Sequence, residues 1–174
     1  MLRVALTGPE STGKSTISRL LAQHYRTAWA PEYARQYLEE RGPHYTLPDL
    51  EEIARGQLRH EAAATAEARR LGRPVVFFDT DLLVIQIWAE HAFGQCPTWI
   101  ARHVQEHPHD LTLLLHVDLP WEPDPLREHP HQREYFFRLY QQRLRELNGP
   151  VVEISGPPAQ RLARAVAAVE EGLR

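Results

Sequence analysis

The sequence is poor in cysteine, lacks a long apolar run and carries no excess of positive charge. Its single cysteine, Cys96, excludes an internal disulfide and any metal site built from several thiolates, and this usage fits a reducing compartment. The apolar stretches VVFF and LTLLLHV fall well short of the roughly 20 residues that cross a membrane. The N-terminal MLRVALTG runs into a predicted strand rather than forming a signal peptide. We therefore expect a cytoplasmic protein with no membrane partner.

Charge and length narrow the class of protein further. The 174 residues include 23 Asp and Glu against 20 Lys and Arg, for a formal net charge of −3. A protein that binds a phosphate backbone needs a basic surface, so no nucleic-acid partner is expected. A chain of this length that is 43% hydrophobic suits one domain over residues 1–174. No heptad pattern is present, and the oligomeric state stays open.

Apolar runs of strand length alternate with amphipathic stretches of helical period. Such alternation predicts βαβ units and hence a three-layer α/β/α fold around a five-stranded parallel sheet buried on both faces. The predicted strands are 2–7, 27–30, 74–79, 111–117 and 151–155, and the predicted helices are 14–25, 48–71, 81–93 and 159–173. One segment breaks the alternation. DLPWEPDPLREHPHQRE, residues 118–134, contains four prolines and predicts a long loop that can act as a lid.

The first predicted strand is followed by GPESTGKST, residues 8–16, which contains the phosphate-loop pattern G-x-x-x-x-G-K-[ST] in its strand-to-helix context. The two glycines allow successive backbone N–H groups to face phosphate oxygens, and the following helix adds its positive end. Lys14 is expected to reach the β- and γ-phosphates, and the Ser15 hydroxyl to bind Mg²⁺. The pattern predicts binding of ATP or GTP by Gly8, Glu10, Ser11, Thr12, Gly13, Lys14, Ser15 and Thr16.

The residues after the third strand favour phosphoryl transfer over hydrolysis. Hydrolytic P-loop proteins pair a strand-end Asp with a Glu that activates water, but no Glu follows Asp79-Thr80-Asp81, and the N-K-x-D motif of GTPases is absent. A small kinase is the natural interpretation. Asp79 is expected to bind Mg²⁺ through water or to accept the proton of the acceptor hydroxyl. Glu32, just past the second strand, is the second candidate for the base and for a sugar contact, and Asp81 is a further candidate for substrate binding.

Arginines and aromatic residues near the same edge of the sheet complete the predicted site. Arg127 and Arg133 bracket the proline-rich loop, from which guanidinium groups can neutralise charge on the transferring phosphate and exclude water. The aromatic candidates for substrate binding are Tyr33, Trp88 and Trp121. Their faces would hold a flat, cationic or heteroaromatic ring by stacking and cation–π attraction.

Four segments in this order, GPESTGKST, PEYARQYL, FFDTDLLVIQIWAE and LLLHVDLPWEPDPLRE, resemble the ribosylnicotinamide kinase domain of NadR-type NAD-biosynthesis proteins, a P-loop kinase family. The resemblance covers about residues 3–145. It implies that ATP, with Mg²⁺, phosphorylates the ribose 5′-hydroxyl of nicotinamide riboside, whose pyridinium ring would suit the aromatic residues. It also implies that Glu32 and Asp79 serve the sugar and the metal. No H-x-G-H motif occurs, so neither adenylyl transfer nor repressor activity is expected of this chain.

Two other functions stay open. A kinase for another nucleoside or for a nucleotide shares this architecture, but gripping an acceptor phosphate requires extra arginines, and only Arg35 is placed for that. An ATP-binding regulatory switch would hydrolyse ATP slowly and without dependence on an acceptor.

Overall fold

Five apolar runs pair into a parallel sheet with the strand order β2-β3-β1-β4-β5. The computed structural model describes all 174 residues. Its strands are β1 Leu2–Thr7, β2 Trp29–Ala30, β3 Val75–Asp79, β4 Leu111–Leu115 and β5 Val151–Ile154. Its helices are α1 Lys14–Tyr25, α2 Tyr33–Arg41, α3 Leu47–Arg70, α4 Leu82–Phe93, α5 Thr98–Glu106, α6 Arg133–Leu147 and α7 Pro158–Gly172.

Two large apolar clusters hold the helices against the sheet. One is made by α1 and α7 packing on β1, β3, β4 and β5, and the other joins side chains of α2 to α6 with Leu114 of β4. Every residue of β3 and β4 is buried, which explains why both strands are apolar except for Asp79 and Thr112. The predicted three-layer α/β/α fold with five parallel strands is confirmed. None of the helices has both the length and the apolar character that a membrane crossing requires.

The register of β1 and β3 determines where the functional residues meet. Leu6 in β1 lies opposite Asp79, the last residue of β3, and Gly8 follows β1 at the same edge of the sheet. Parallel strands present their carboxyl ends together, and ligands of open α/β sheets bind there. The phosphate loop and the acid that ends β3 are therefore neighbours.

The structure differs from the sequence prediction in three helices and at several boundaries. Helices α2, α5 and α6 are not predicted by the sequence analysis. β2 has two residues instead of four because Thr27 turns towards α1, its backbone N–H donating to the Ala22 carbonyl at 2.9 Å. β4 ends at Leu115 instead of residue 117. The proline-rich loop ends at residue 132, since Arg133 already begins α6, and residues 118–132 are called the lid below.

Gly56, in the middle of α3, allows α2 to pack closely against it. A Cβ at this position would lie 2.0 Å from the ring of Tyr33. That ring also lies against His60, with 5.1 Å between ring centroids, and the Tyr33 backbone N–H donates to Gln57 Oε1 at 3.0 Å. Tyr33 therefore has little freedom to move away from a larger residue.

We expect Gly56→Ala to destabilise the protein. Overpacking costs about 1–3 kcal/mol and outweighs the ~1 kcal/mol that alanine gains over glycine inside a helix, so the midpoint of thermal denaturation should fall by several degrees. Gly149→Ala is the matched control, since nothing lies within 4 Å of its new Cβ. Equal melting temperatures for the two variants would contradict the packing role of Gly56.

Candidate active site

The loop between β1 and α1, residues 8–16, depends on two glycines with positive φ. Gly8 has φ +132°, and a Cβ there would lie 2.9 Å from the carbonyl oxygen of Leu115. Gly13, with φ +84°, is the N-cap of α1 and offers no capping side chain. The first N–H groups of α1 are therefore left free of a capping side chain, as an anion-binding helix terminus requires.

Lys14, the first residue of α1, folds back over this loop. Its Nζ donates to the carbonyl oxygens of Gly8 at 2.9 Å and Pro9 at 2.7 Å. Burial lowers the pKa of the ammonium group, and the negative charges of Glu32 and Asp79 oppose that shift. The ammonium therefore contacts the phosphate loop and is close enough to both carboxylates for their charges to act on it. A phosphate oxygen can replace the loop carbonyls.

The two carboxylates come from different strands. Asp79 ends β3, is only 3% exposed, and has an Oδ1 atom without a hydrogen-bond partner. Glu32 is the half-buried N-cap residue of α2. Burial raises the pKa of both carboxyl groups, and the charge of Asp79 raises the pKa of Glu32 further. The side chain of Ser15 and the ammonium of Lys14 favour the ionised form of Asp79.

The lid lies against the phosphate loop and contacts it largely through backbone groups of the lid. The carboxylate of Glu10 accepts the backbone N–H groups of Glu128 at 3.1 Å and His129 at 3.0 Å. Ser11 Oγ accepts the backbone N–H of Glu122 at 2.9 Å. Two side chains of the phosphate loop thus bind the lid in its closed position.

Both arginines predicted for the lid take part in the contact between the lid and the phosphate loop. Arg127 donates to Ser11 Oγ at 3.4 Å. Arg133 donates to the carbonyl oxygens of Ser11 at 3.4 Å and Leu119 at 2.7 Å, and burial lowers its pKa. Each guanidinium carbon lies 5.9 Å from the ring centre of Trp121.

Arg161 in α7 supports the loop from the other side, and the sequence analysis did not single it out. Its side chain is 1% exposed and donates to the carbonyl oxygens of Thr12, His116 and Gly156, each at 2.8 Å. It also forms an ion pair with Asp118 at the start of the lid. One signal was available: helical spacing places Arg161 on the buried stripe of α7, where a charged side chain needs partners.

These elements surround a cavity of about 570 Å³, a volume that is ordinary for small-molecule sites. The phosphate loop forms one part of its lining, and side chains of α2, α4 and α6 form another. The structure brings most of the predicted site residues into this lining. They are Gly8, Glu10, Ser11, Thr12, Gly13, Lys14, Ser15, Thr16, Glu32, Arg35, Trp88, Arg127 and Arg133.

Four predicted residues lie outside the lining. Asp79 is buried at the end of β3, and a hydrogen bond from the Ser15 side chain favours its ionised form. Asp81 accepts the backbone N–H of Val84 at 3.4 Å and caps α4. Tyr33 packs against α3, and Trp121 lies beside the two lid arginines. A substrate contact by any of these side chains stays a prediction.

Sequence reasoning also missed several residues of the cavity lining. They are Leu38 of α2, His91 of α4, and Phe136 and Tyr140 of α6. Two of these helices were not predicted, so no pattern assigned their buried faces to a site. Arg35 of α2 was predicted, and it forms an ion pair with Asp124 of the lid at 3.1 Å.

Strand order, phosphate loop and lid place the chain among P-loop nucleotide-binding proteins with a kinase fold. The chain belongs to the AAA domain family, whose model matches residues 3–161. The resemblance to NadR-type proteins inferred from the four sequence segments is confirmed by the comparisons below.

Among curated proteins, the chain is similar to the trifunctional NAD biosynthesis/regulator protein NadR of Salmonella typhimurium (strain LT2). The two are 31% identical over 159 residues, which cover 87% of this chain and 37% of that protein. The chain thus spans little more than a third of that relative's length.

Solved structures of NadR proteins are also similar to this chain. A NadR protein in complex with NAD and AMP-PNP has a TM-score of 0.78 and 25% identity, covering 99% of this chain and 49% of the other. A NadR protein in complex with NR has a TM-score of 0.74 and 24% identity, covering 99% and 51%. A thymidylate kinase from Ehrlichia chaffeensis shares the fold, with a TM-score of 0.67, 15% identity and coverage of 97% and 98%.

The raised pKa of Asp79 has a consequence for stability in the absence of ligand. A carboxyl whose pKa is higher in the folded state lowers stability progressively as pH rises above its unfolded pKa, about 3.9. We therefore expect Asp79→Asn to raise the melting temperature of the ligand-free protein at pH 8 and to raise it less at pH 5. Glu171→Gln, at an exposed position of α7, should change neither value. A loss of stability by Asp79→Asn at pH 8 would show that the carboxylate is structural.

Proposed function

We propose that this chain transfers the γ-phosphoryl group of ATP to the ribose 5′-hydroxyl of nicotinamide riboside, giving nicotinamide mononucleotide. The carrying observation is a single cavity whose lining includes the phosphate loop, Glu32 and several aromatic side chains. The likeness to NadR structures in complex with AMP-PNP and NAD, and with NR, supports this choice of donor and acceptor.

The phosphate end of the cavity suits the donor. The uncapped N-terminus of α1 and the Lys14 ammonium offer positive charge to the β- and γ-phosphates. Lys14 would exchange its two loop carbonyls for phosphate oxygens. Arg127 and Arg133, held in the lid contact, would neutralise charge on the group in transfer and help to exclude water.

The residues next to Lys14 also fit a magnesium ion. Oδ1 of Asp79 is buried and has no hydrogen-bond partner, and Ser15, which contacts Asp79, lines the phosphate end of the cavity. Hard cations take such oxygen ligands. When bound, Mg²⁺ would draw charge from the β- and γ-phosphate oxygens.

Of the two acids, Glu32 is the better candidate for the base. It lines the cavity, whereas Asp79 is buried outside the lining. Its pKa is raised by burial and by the charge of Asp79, and a raised pKa makes a carboxylate a stronger acceptor for the hydroxyl proton. Glu32 would take that proton as the hydroxyl oxygen attacks the γ-phosphorus, while Asp79 serves the metal.

The substrate assignment is tested by ADP release from ATP and Mg²⁺, first without an acceptor and then with nicotinamide riboside, uridine, thymidine or thymidylate. We expect strong stimulation by nicotinamide riboside alone. Lys14→Ala should abolish it, and Arg19→Ala, an exposed change in the same helix, should not. Greater stimulation by another acceptor would overturn the substrate, and slow release that ignores every acceptor would favour a nucleotide-dependent switch.

The two acids are separated by their dependence on magnesium. Glu32→Gln should lower kcat by roughly 100-fold or more, the scale of a lost acid–base group, with little change in the magnesium requirement. Asp79→Asn should instead raise the Mg²⁺ concentration needed for half-maximal rate. If Asp79→Asn caused the larger loss of kcat at saturating Mg²⁺, the roles would be reversed.

A further inference from the structure

Ring side chains form one part of the cavity lining, which is called the aromatic end below. His91 of α4, His129 of the lid and Phe136 of α6 line it with ring centroids 4.8–5.0 Å apart. Trp88, one helical turn before His91, is part of the same lining. Such walls suit a flat ring, whether neutral or charged.

One carboxylate of the lid also lines this aromatic end, and a hydrogen-bonded chain holds it there. Trp88 Nε1 donates to the hydroxyl of Tyr45 at 2.7 Å, and that hydroxyl donates to Glu128 Oε2 at 2.8 Å. Burial raises the pKa of Tyr45 to about 12, so the phenol stays a donor at physiological pH. The negative charge of Glu128 is therefore fixed next to an aromatic wall.

The position of the Glu128 carboxylate also depends on where the lid lies. The backbone N–H of Glu128 donates to the carboxylate of Glu10 in the phosphate loop at 3.1 Å. The carboxylate is thus brought to the aromatic end when the lid rests on the phosphate loop, and it would move away with the lid.

Cations around Glu128 are mostly engaged elsewhere. Arg35 pairs with Asp124 at 3.1 Å, and Arg127 donates to the phosphate loop. The one basic side chain within 4.0 Å of the carboxylate is His129, whose Nε2 lies 4.0 Å from Glu128 Oε2. The carboxylate thus accepts a hydrogen bond from Tyr45 and has no arginine or lysine partner.

We propose that Glu128 is the counter-charge for a cationic aromatic ring of the acceptor and thereby selects a pyridinium nucleoside over neutral nucleosides. This inference rests on the proposed function. The aromatic walls would bind either kind of ring, whereas the carboxylate distinguishes the two rings by their charge. Beside a cationic ring the carboxylate gains Coulomb attraction. Beside a neutral ring it loses hydration and gains nothing in return.

The experiment compares two acceptors that share a ribose and differ in ring charge: nicotinamide riboside and its uncharged reduced form. Steady-state KM and kcat are measured for both with the whole chain, ATP and Mg²⁺. Glu128→Gln keeps the hydrogen-bonding shape and removes the charge. We expect it to raise the KM for nicotinamide riboside roughly fivefold, as for a partly exposed ion pair, and to change the KM for the reduced form less than twofold.

Two further variants separate charge from lid structure. Glu134→Gln removes a negative charge from an exposed position at the start of α6, outside the cavity lining, and should leave the preference between the two acceptors unchanged. Tyr45→Phe keeps the ring but frees the carboxylate, and should reduce the preference partially.

The outcomes are distinct. Equal weakening of both acceptors by Glu128→Gln would make Glu128 a structural part of the lid and overturn the inference while leaving the kinase assignment intact. If the unmodified protein phosphorylated neither acceptor, the proposed function would fail and the inference with it. A loss of charge preference confined to Glu128→Gln and Tyr45→Phe would support it.

Discussion

The close approach of one ammonium group and two carboxyl groups is the constraint on which this site depends. Burial by itself raises the pKa of Asp79 and Glu32 and lowers that of Lys14, so each group alone would tend to lose its charge. The Lys14 ammonium opposes the pKa shift of both carboxyl groups and their charges oppose the shift of Lys14, whereas the charge of Asp79 adds to the shift of Glu32. The fold supplies the proximity from three separate elements: the end of β3, the start of α2 and the start of α1. A shift of any one of them would leave a buried charge without its partner.

The phosphate loop is held from two sides by contacts of different strength. Beneath it, the fully buried Arg161 binds three carbonyl oxygens and Asp118, and charge-assisted hydrogen bonds of this kind are strong when buried. Above it, Glu10 and Ser11 hold the lid through exposed hydrogen bonds, which water can replace. The loop is therefore a fixed part of the sheet edge, whereas the lid contact can exchange with solvent.

The sequence predicted what is local or periodic and missed what depends on contacts between distant segments. The phosphate loop, the strand pattern and the sheet-edge position of Asp79 follow from short motifs and from the rule that parallel strands share their carboxyl edge. Arg161 and Tyr45 were missed because their roles depend on partners far away in the sequence, Thr12 for the first and Glu128 for the second. No propensity scale encodes such pairs. Part of the cavity lining was missed for the same reason, because the helices that supply it, α2 and α6, were not predicted.

The lid contacts two parts of the site that suit ligands of opposite charge. Its backbone and Arg127 contact the phosphate loop, where the ligand is anionic, and the carboxylate of Glu128 lies at the aromatic end, where the proposed acceptor ring is cationic. A ligand can shift the lid only through contacts that differ between its open and closed positions. Donor and acceptor would each make such contacts, with opposite charge, at the neighbouring residues Arg127 and Glu128. Closure is then most favourable with both present, which keeps water out when the phosphoryl group is ready to move.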